Sequence, residues 1–224
     1  MKFRILLFLV ILSGCSSSQK VPKHLAYYDE TGTLTTQENF IQKWRDKENG
    51  HARWDVIQDG ERKIALSSPL FSTYLIEYSP LLRNLERITG RRFAVNSVIV
   101  LAYEYADDLC SSRSSNTWNK RKIGNRKSFL QPIREDVLGV SKNVIYLHLF
   151  EEGIELKNDP ANNDEYFFVD KDNFFRNNIF RDPSFCGSFA LIKPNGQVLV
   201  RNGEYRADWL LPLLQPQNWN TFFP

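Results

Sequence analysis

The sequence predicts an α/β domain with a mixed β-sheet and helices on both faces, preceded by a smaller part made of helix and hairpin. Two apolar runs, SVIVLAY (97–103) and NVIYLHLF (143–150), are typical of strands buried on both faces. A helical segment lies between them, and strands joined through a helix pair in parallel. A third segment, GSFALIKPNGQVLVRNG (187–203), predicts a hairpin turning at Asn195-Gly196, which adds antiparallel strands.

Composition agrees with a globular chain. Of the 224 residues, 42% are hydrophobic and 25% are charged, which excludes a disordered chain. The length suits one large domain or two small ones, and no repeat with a period of 20–50 residues is present.

The first residues predict an export signal. MKFR supplies two cations, ILLFLVIL (5–12) is an apolar run too short to span a bilayer comfortably, and small residues precede Cys15. LSGC (12–15) resembles the lipobox of bacterial lipoproteins. The resemblance implies that signal peptide 1–14 is removed and that Cys15 carries lipid, with palmitate among its acyl chains. The alternatives are an uncleaved anchor or an ordinary signal with a chance cysteine.

The mature chain is nearly neutral. Removal of residues 1–14 leaves 27 basic residues against 26 acidic ones, a net charge of about +1, so no nucleic-acid partner is predicted. Residues 15–24 read as a polar tether. Ser16 stands where many lipoproteins retained at the inner membrane have aspartate, which favours the outer membrane.

Residues 25–95 are assigned to the N-terminal elaboration. Thr35 and Glu38 form a capping-box pattern ahead of a helical stripe. Residues 53–66 alternate apolar and polar side chains around Asp-Gly, which predicts a hairpin. Residues 72–90 show apolar side chains at helical spacing and end in glycine, with Pro80 as a kink or a new start.

The remaining elements complete the main domain, residues 96–215. A helix is predicted over 125–139 and shorter helices over 169–180 and 204–215. Residues 151–170 are acidic and rich in turn residues and are interpreted as a surface excursion. The C-terminal tail, residues 216–224, is apolar and is expected to pack back on the domain.

The element order over 96–215 resembles the thioredoxin fold. VIVLAYEYADDLCSSR is similar to the strand and redox loop of that family, with Cys110 near the first redox cysteine, and CGSFALIKPNGQVLVRNG is similar to its later hairpin. The redox motif C-x-x-C is absent, because Arg113 stands at the second cysteine position. Ser188 falls at the family's cis-proline position. The proline and threonine or serine that precede a peroxiredoxin's reactive cysteine are also missing.

Cys110 and Cys186 are an even number of cysteines in an oxidising compartment. The resemblance implies that their loops face each other. Three interpretations stay open: a structural disulfide, two reduced buried thiols, or a catalytic or regulatory thiol. The acidic pair Asp107-Asp108 is expected to raise the pKa of the Cys110 thiol, whereas Arg113 acts in the opposite direction.

One basic concentration is the candidate binding surface. It could contact an anionic headgroup or a polyanionic partner, or it could be a solvated loop and first helical turn. Its members are Arg113, Lys120, Arg121, Lys122, Arg126 and Lys127. His148 is expected to be a satisfied strand residue, with a base for Cys110 as the alternative. No metal-ligand spacing is present, and no metal or cofactor is predicted.

These observations predict a lipid-anchored envelope protein with a degenerate, non-redox thioredoxin-like domain that binds or scaffolds an envelope protein partner. The alternative is a thiol-dependent oxidoreductase or peroxidase with Cys110 as nucleophile and Cys186 as resolving thiol. A toxin-neutralising or envelope-assembly lipoprotein is a third reading, and no residue argues for it directly.

Overall fold

The computed structural model describes residues 25–46, 50–110, 115–206 and 210–223. The strands in these ranges are β1 (Leu25–Tyr28), β2 (Leu34–Thr35), β3 (His51–Gln58), β4 (Glu61–Pro69), β5 (Phe71–Leu75), β6 (Val98–Glu104), β7 (Thr117–Trp118), β8 (Val144–Glu151), β9 (Glu155–Leu156), β10 (Phe167–Asp170), β11 (Ser188–Ile192) and β12 (Gln197–Asn202). The α-helices in the same ranges are α1 (Gln37–Trp44), α2 (Tyr78–Thr89), α3 (Lys120–Val140), α4 (Phe174–Asn178), α5 (Leu210–Leu214) and α6 (Trp219–Phe222). The part of the chain described here contains no helix long and apolar enough to cross a membrane.

The main sheet has six strands in the order β10-β8-β6-β11-β12-β5. Strands β6, β8 and β10 run parallel to one another, whereas β11 is antiparallel to both β6 and β12, and β5 is antiparallel to β12. The crossover from β6 to β8 runs through α3. The predicted α/β class, with a mixed sheet and helices on both faces, is confirmed.

Both faces of this sheet are covered, because every residue of β11 is buried, and so is every residue of β6 after Val98. The apolar side chains of the helices supply the cover. They include Leu81, Leu82 and Leu85 of α2, Ile123, Leu130 and Val137 of α3, Phe175 of α4, and Leu210, Leu213 and Leu214 of α5. An apolar run without alternation is therefore stable as a strand here, since neither face meets water.

A second sheet, in the order β2-β1-β4-β3, carries helix α1 and a small core of its own. Phe40 of α1 packs with Ile64 and Leu66 of β4. The predicted capping box is wrong by one residue: the N-cap of α1 is Thr36, whose hydroxyl accepts a hydrogen bond from the Asn39 N–H at 3.2 Å.

The predicted helix over 72–90 is wrong in its first part, which is strand β5 on the edge of the main sheet. Pairing with β12 makes this segment a strand, and the spacing of apolar residues along the sequence does not show which strand will be its neighbour. Pro80 lies in the first turn of α2, where its missing N–H costs no hydrogen bond. The boundary at residues 95/96 stays a prediction; β5 and α2, which precede it, belong to the main sheet and its core.

Helix α3 begins five residues before its predicted start. Its N-cap is Asn119, whose side chain accepts from the Lys122 N–H at 2.9 Å, and Pro132 lies within the helix. The excursion over 151–170 also carries more structure than predicted, because its end forms β10, parallel to β8. The predicted helix over 169–180 is limited to α4 and a preceding 3-10 turn.

The two predicted hairpins are confirmed. Asp59 and Gly60 both have positive φ between β3 and β4, as a two-residue primed turn requires. Gly196 closes the turn between β11 and β12, where its N–H donates to the Lys193 carbonyl at 2.9 Å. The C-terminal segment packs back as expected, with Phe223 buried in the main core.

Candidate functional site

A disulfide joins Cys110 to Cys186 across 76 positions of sequence. Cys110 lies in the loop after β6 and Cys186 in the loop before β11, and their Cα atoms are 5.0 Å apart. Each cysteine is 6% exposed. Of the three interpretations of this pair, the structure shows the disulfide.

Sheet register brings the two loops together. Ser188 of β11 is opposite Tyr103 of β6, so the end of one strand adjoins the start of the other. On the Cys110 side, the Asp108 carboxylate accepts a hydrogen bond from the Cys110 N–H at 2.9 Å. Asp108 is fully buried. Its short side chain thereby holds the backbone of the loop in a turn.

The Cys186 loop has an unusual backbone. Cys186 and Gly187 both have positive φ, 69° and 78°. A Cβ atom on Gly187 would lie 2.5 Å from the Tyr103 carbonyl oxygen and 3.4 Å from Oε2 of Glu104. Only glycine fits this close approach of backbone to backbone, and the left-handed conformation of Cys186 is one that side-chain-bearing residues rarely adopt.

A buried carboxylate, imidazole and guanidinium meet at this end of the sheet. Glu104 Oε1 is 3.0 Å from His148 Nε2 and 3.5 Å from Arg126 Nη2. Glu104 and His148 are 2% and 1% exposed. The His148 ring also stacks near Phe150 and Phe167, with centroids 4.9 and 4.7 Å away. His148 is therefore the partnered strand residue that its position predicted, and its partner is an acid.

The predicted basic surface is divided by the start of α3. Lys120 and Arg121 are exposed, whereas Arg126 turns inward to Glu104 and Lys127 turns inward to another acid. Lys122 lies over the Trp118 ring, with Nζ 4.2 Å from the centroid. Arg113 lies outside the described residues. Lys120 and Arg121 are therefore available on the surface of α3, whereas Arg126 and Lys127 form ion pairs with buried carboxylates.

The acid that pairs with Lys127 is Glu165, which is 3% exposed, and Nζ is 2.6 Å from Oε1. Burial by itself would raise the pKa of Glu165. The hydrogen bonds from Lys127 and from the Phe167 N–H outweigh burial, so the pKa of Glu165 is lowered. The pair fastens α3 to the segment that leads into β10.

Asp170 forms a second buried polar centre that sequence reasoning missed. Its carboxylate accepts from the Tyr103 hydroxyl at 3.0 Å and from the N–H groups of Phe175 and Arg176 at 3.1 and 2.8 Å. Burial raises the pKa of Asp170 despite these hydrogen bonds. The only available signal was an aspartate just before a helix, where carboxylates commonly bind free N–H groups.

Tyr105 connects the two loops of the site. Its hydroxyl donates to the Asp182 carbonyl at 3.0 Å and lies 3.0 Å from the Ser188 hydroxyl. Ser188, which the sequence resemblance aligned with a cis-proline, is thus a hydrogen-bonding residue here. Burial raises the pKa of Tyr105 well above its ordinary value, so this hydroxyl stays protonated.

Within the described ranges, no group of three or more histidine, cysteine, aspartate or glutamate side chains is placed to hold a metal ion. Cys15, the predicted lipid attachment residue, lies outside those ranges together with the signal peptide 1–14 and the tether.

No family model and no curated protein matches the chain. Among solved structures, the chain is similar to Mycobacterium tuberculosis dsbF in mixed oxidized and reduced forms, with 15% identity over 52% of this chain and 77% of that one, and a TM-score of 0.32. It is also similar to the pneumococcal exposed lipoprotein thioredoxin Etrx1 from Streptococcus pneumoniae, with 12% identity over 73% and 98%, and a TM-score of 0.35. A third is a secreted Mycobacterium tuberculosis disulfide oxidoreductase homologous to E. coli DsbE, with 15% identity over 52% and 78%, and a TM-score of 0.29.

Proposed function

We propose that this chain is an exported, lipid-anchored envelope protein whose thioredoxin-like domain is a binding module, and that the Cys110–Cys186 disulfide is a structural clasp. The burial of the disulfide carries this proposal, since each cysteine is only 6% exposed. Thiol exchange needs an attacking thiolate in line with an accessible sulfur. A buried disulfide resists that attack.

The surroundings of Cys110 support the same role. Asp108 holds the Cys110 backbone through its carboxylate, which accepts a hydrogen bond from the Cys110 N–H. A nearby carboxylate raises the pKa of a thiol, whereas exchange enzymes lower it with cations or a helix N-terminus. Helix α3, the first helix after β6 among the described residues, begins at Lys120, ten positions beyond Cys110, so the N-terminus of α3 does not adjoin the cysteine.

The envelope location is proposed from the N-terminal sequence. MKFR, the apolar run 5–12 and LSGC (12–15) together form a lipoprotein signal. A Cys15→Ala variant is expected to lose metabolic palmitate labelling and to leave the membrane fraction. A variant that keeps both the label and the membrane location would contradict lipidation at Cys15. Fractionation of the two membranes tests the outer-membrane assignment.

One observation favours a second candidate, a thiol-disulfide oxidoreductase. Cys110 follows the end of β6 and Cys186 precedes the start of β11, and Oε2 of the buried Glu104, whose Oε1 pairs with His148, lies close to Gly187, next to Cys186. A carboxylate and an imidazole there are groups that can accept and return a proton during exchange.

Reduction of the folded protein separates the two candidates. The oxidised chain is titrated with glutathione and then with dithiothreitol, and free thiols are alkylated and counted by mass spectrometry with and without urea. A clasp is expected to be reduced in urea but not in native buffer with glutathione, because structural disulfides have potentials below about −300 mV. Rapid native reduction together with catalytic exchange on a model disulfide would instead establish the oxidoreductase.

A further inference from the structure

A pocket of about 260 Å³ lies at the seam between the two sheets, away from the disulfide's sulfur atoms. Trp44 and Arg45 from the end of α1, Arg53 from β3, Phe185 from the clasped loop and Arg201 from β12 line it. Three of these five side chains carry a positive charge. The pocket therefore combines arginines with aromatic walls.

Arg201 is the buried cation of this pocket. It is 7% exposed, and its guanidinium donates to the carbonyl oxygens of Asn202 and Glu204, the latter at 2.9 Å. In the described ranges it forms no ion pair with a carboxylate. Burial lowers the pKa of Arg201 because a desolvated charge is unfavourable. An anion in the pocket would compensate that charge.

Arg53 is held in place for planar recognition. Its guanidinium carbon is 4.6 Å from the ring centroid of Trp44 and 4.0 Å from that of Phe185. One fully buried carboxylate, Asp55, is shared between Arg53 at 3.1 Å and Arg62 at 2.5 Å. Because two guanidinium groups share the single carboxylate of Asp55, this cluster beside the pocket carries a net positive charge.

The rim of the pocket carries charged side chains of both signs. Arg45 is exposed there, and the exposed Glu204 is the one lining carboxylate among the described residues. Three arginines and one carboxylate therefore line the pocket among the described residues, and the nearby Asp55 is shared between Arg53 and a fourth arginine, Arg62. Arginine binds carboxylate and phosphate oxygens in pairs, and a positive rim raises the local concentration of anions.

We propose that this pocket binds a small organic anion, with a carboxylate or phosphate group on Arg201 and an apolar or planar body against Phe185 and Trp44. At about 260 Å³, the pocket is slightly smaller than the roughly 300–1,000 Å³ of typical small-molecule sites, which limits the body to about one ring. This inference deepens the proposed binding function and rests on it, because it names a ligand class for the module.

The clasp supports one wall of the pocket. Phe185 precedes Cys186 in sequence, and its N–H donates to the Arg53 carbonyl at 2.8 Å. Gly203 brings β12 close to the same wall, since its Cβ position would be 3.6 Å from both the Ala52 Cβ and the Phe185 carbonyl oxygen. Reduction of the disulfide is therefore expected to weaken anion binding.

Titration with benzoate, phenyl phosphate and uncharged benzyl alcohol, followed by calorimetry and amide NMR of the oxidised chain, tests the proposal. We expect saturable binding of benzoate or phenyl phosphate and at least about tenfold weaker binding of benzyl alcohol. Whichever of benzoate and phenyl phosphate binds more tightly shows whether the pocket prefers a carboxylate or a phosphate group. Binding of benzyl alcohol as tight as that of the anions, or no saturable binding up to about 10 mM, would overturn the proposal.

Variants locate the site. Arg201→Lys keeps the charge but loses the forked donor geometry, so about tenfold weaker binding is expected. Arg45 is exposed, so Arg45→Ala should not disturb folding, and about threefold weaker binding is expected. Arg83→Ala removes an exposed arginine on α2 and serves as the control with unchanged affinity. Equal affinities in all three variants would overturn the proposal. If the disulfide resists reductant but the pocket binds no anion, this inference alone is refuted. If the disulfide is easily reduced in the native protein, the proposed function is refuted.

Discussion

Removal of the disulfide is the perturbation whose effect the structure specifies best. Cys110 and Cys186 are 76 positions apart, so the bond closes a loop that is about a third of the chain. The chain-entropy relation for a loop of this length gives about 4.5 kcal/mol at 25 °C, and removal of native disulfides typically costs about 2–5 kcal/mol. The expected loss for Cys110→Ala with Cys186→Ala is therefore about 4 kcal/mol, a large share of the about 5–15 kcal/mol of a typical domain.

Urea unfolding followed by circular dichroism and tryptophan fluorescence measures this loss. With a urea dependence of about 2 kcal/mol/M, the midpoint should fall by about 2 M between the oxidised parent and the double variant. The double variant leaves neither cysteine of the pair as a lone thiol. The control is the parent protein after reduction in urea and refolding in dithiothreitol, which keeps its thiols from re-oxidising. This reduced parent should show the same urea midpoint as the double variant.

Urea midpoints of the double variant and the oxidised parent within about 0.3 M of each other would refute the expected stabilisation by the disulfide. Such a result would mean that packing alone holds the loops in register. A variant less stable than the reduced parent would show instead that the cysteine side chains contribute packing as well as a covalent link.

The remaining predictions concern the backbone of the clasped loop and the buried ion pair. Gly187→Ala should destabilise by about 3 kcal/mol or more, because both positive φ and a backbone clash oppose it, whereas Gly153→Ala, with φ of 98° and open space, should cost only about 1–2 kcal/mol in urea unfolding. Equal costs would refute the clash. Lys127→Met should destabilise by about 2 kcal/mol at pH 7 by leaving Glu165 buried without its cation, and the exposed control Lys120→Met should change little. The lowered pKa of Glu165 means that its stabilisation is present above the unfolded value and is lost as pH falls through the folded value. The difference between parent and Lys127→Met should therefore shrink below about pH 4, and a difference independent of pH would contradict the ion pair.

Local signals in the sequence predicted the parts of the fold that local physics decides. The runs that became β6 and β8 are almost continuously apolar, and each proved to be an interior strand of the main sheet. The turn at Asn195-Gly196 needs a residue with positive φ, and glycine supplies it. Boundaries and edges were less predictable. Strand β5 was predicted as part of a helix because its last residue, Leu75, begins a helically spaced apolar stripe, but pairing with β12 makes the segment a strand.

The candidate site was predictable in its cysteines and not in its acids. If the chain is exported as predicted, the two cysteines that follow Cys15 indicate a possible disulfide, because exported proteins fold in an oxidising compartment. Glu104 and His148 are 44 positions apart, and Asp170 is 67 positions from Tyr103. Nothing in the sequence relates such partners, because their contact depends on which strands are neighbours and on which face each side chain points.

By itself, the sequence predicted an export signal and the α/β class and showed two cysteines after Cys15, since composition, short-range spacing and residue chemistry are read directly from the chain. Only the tertiary structure decided that Cys110 and Cys186 are bonded and buried, that Arg126 and Lys127 face buried acids, and that Arg201 lines a pocket beside Phe185. The physical reason is that burial and electrostatic partners are properties of residues brought together over long sequence distances. Strand order and side-chain direction set them, and each depends on the packing of the whole domain.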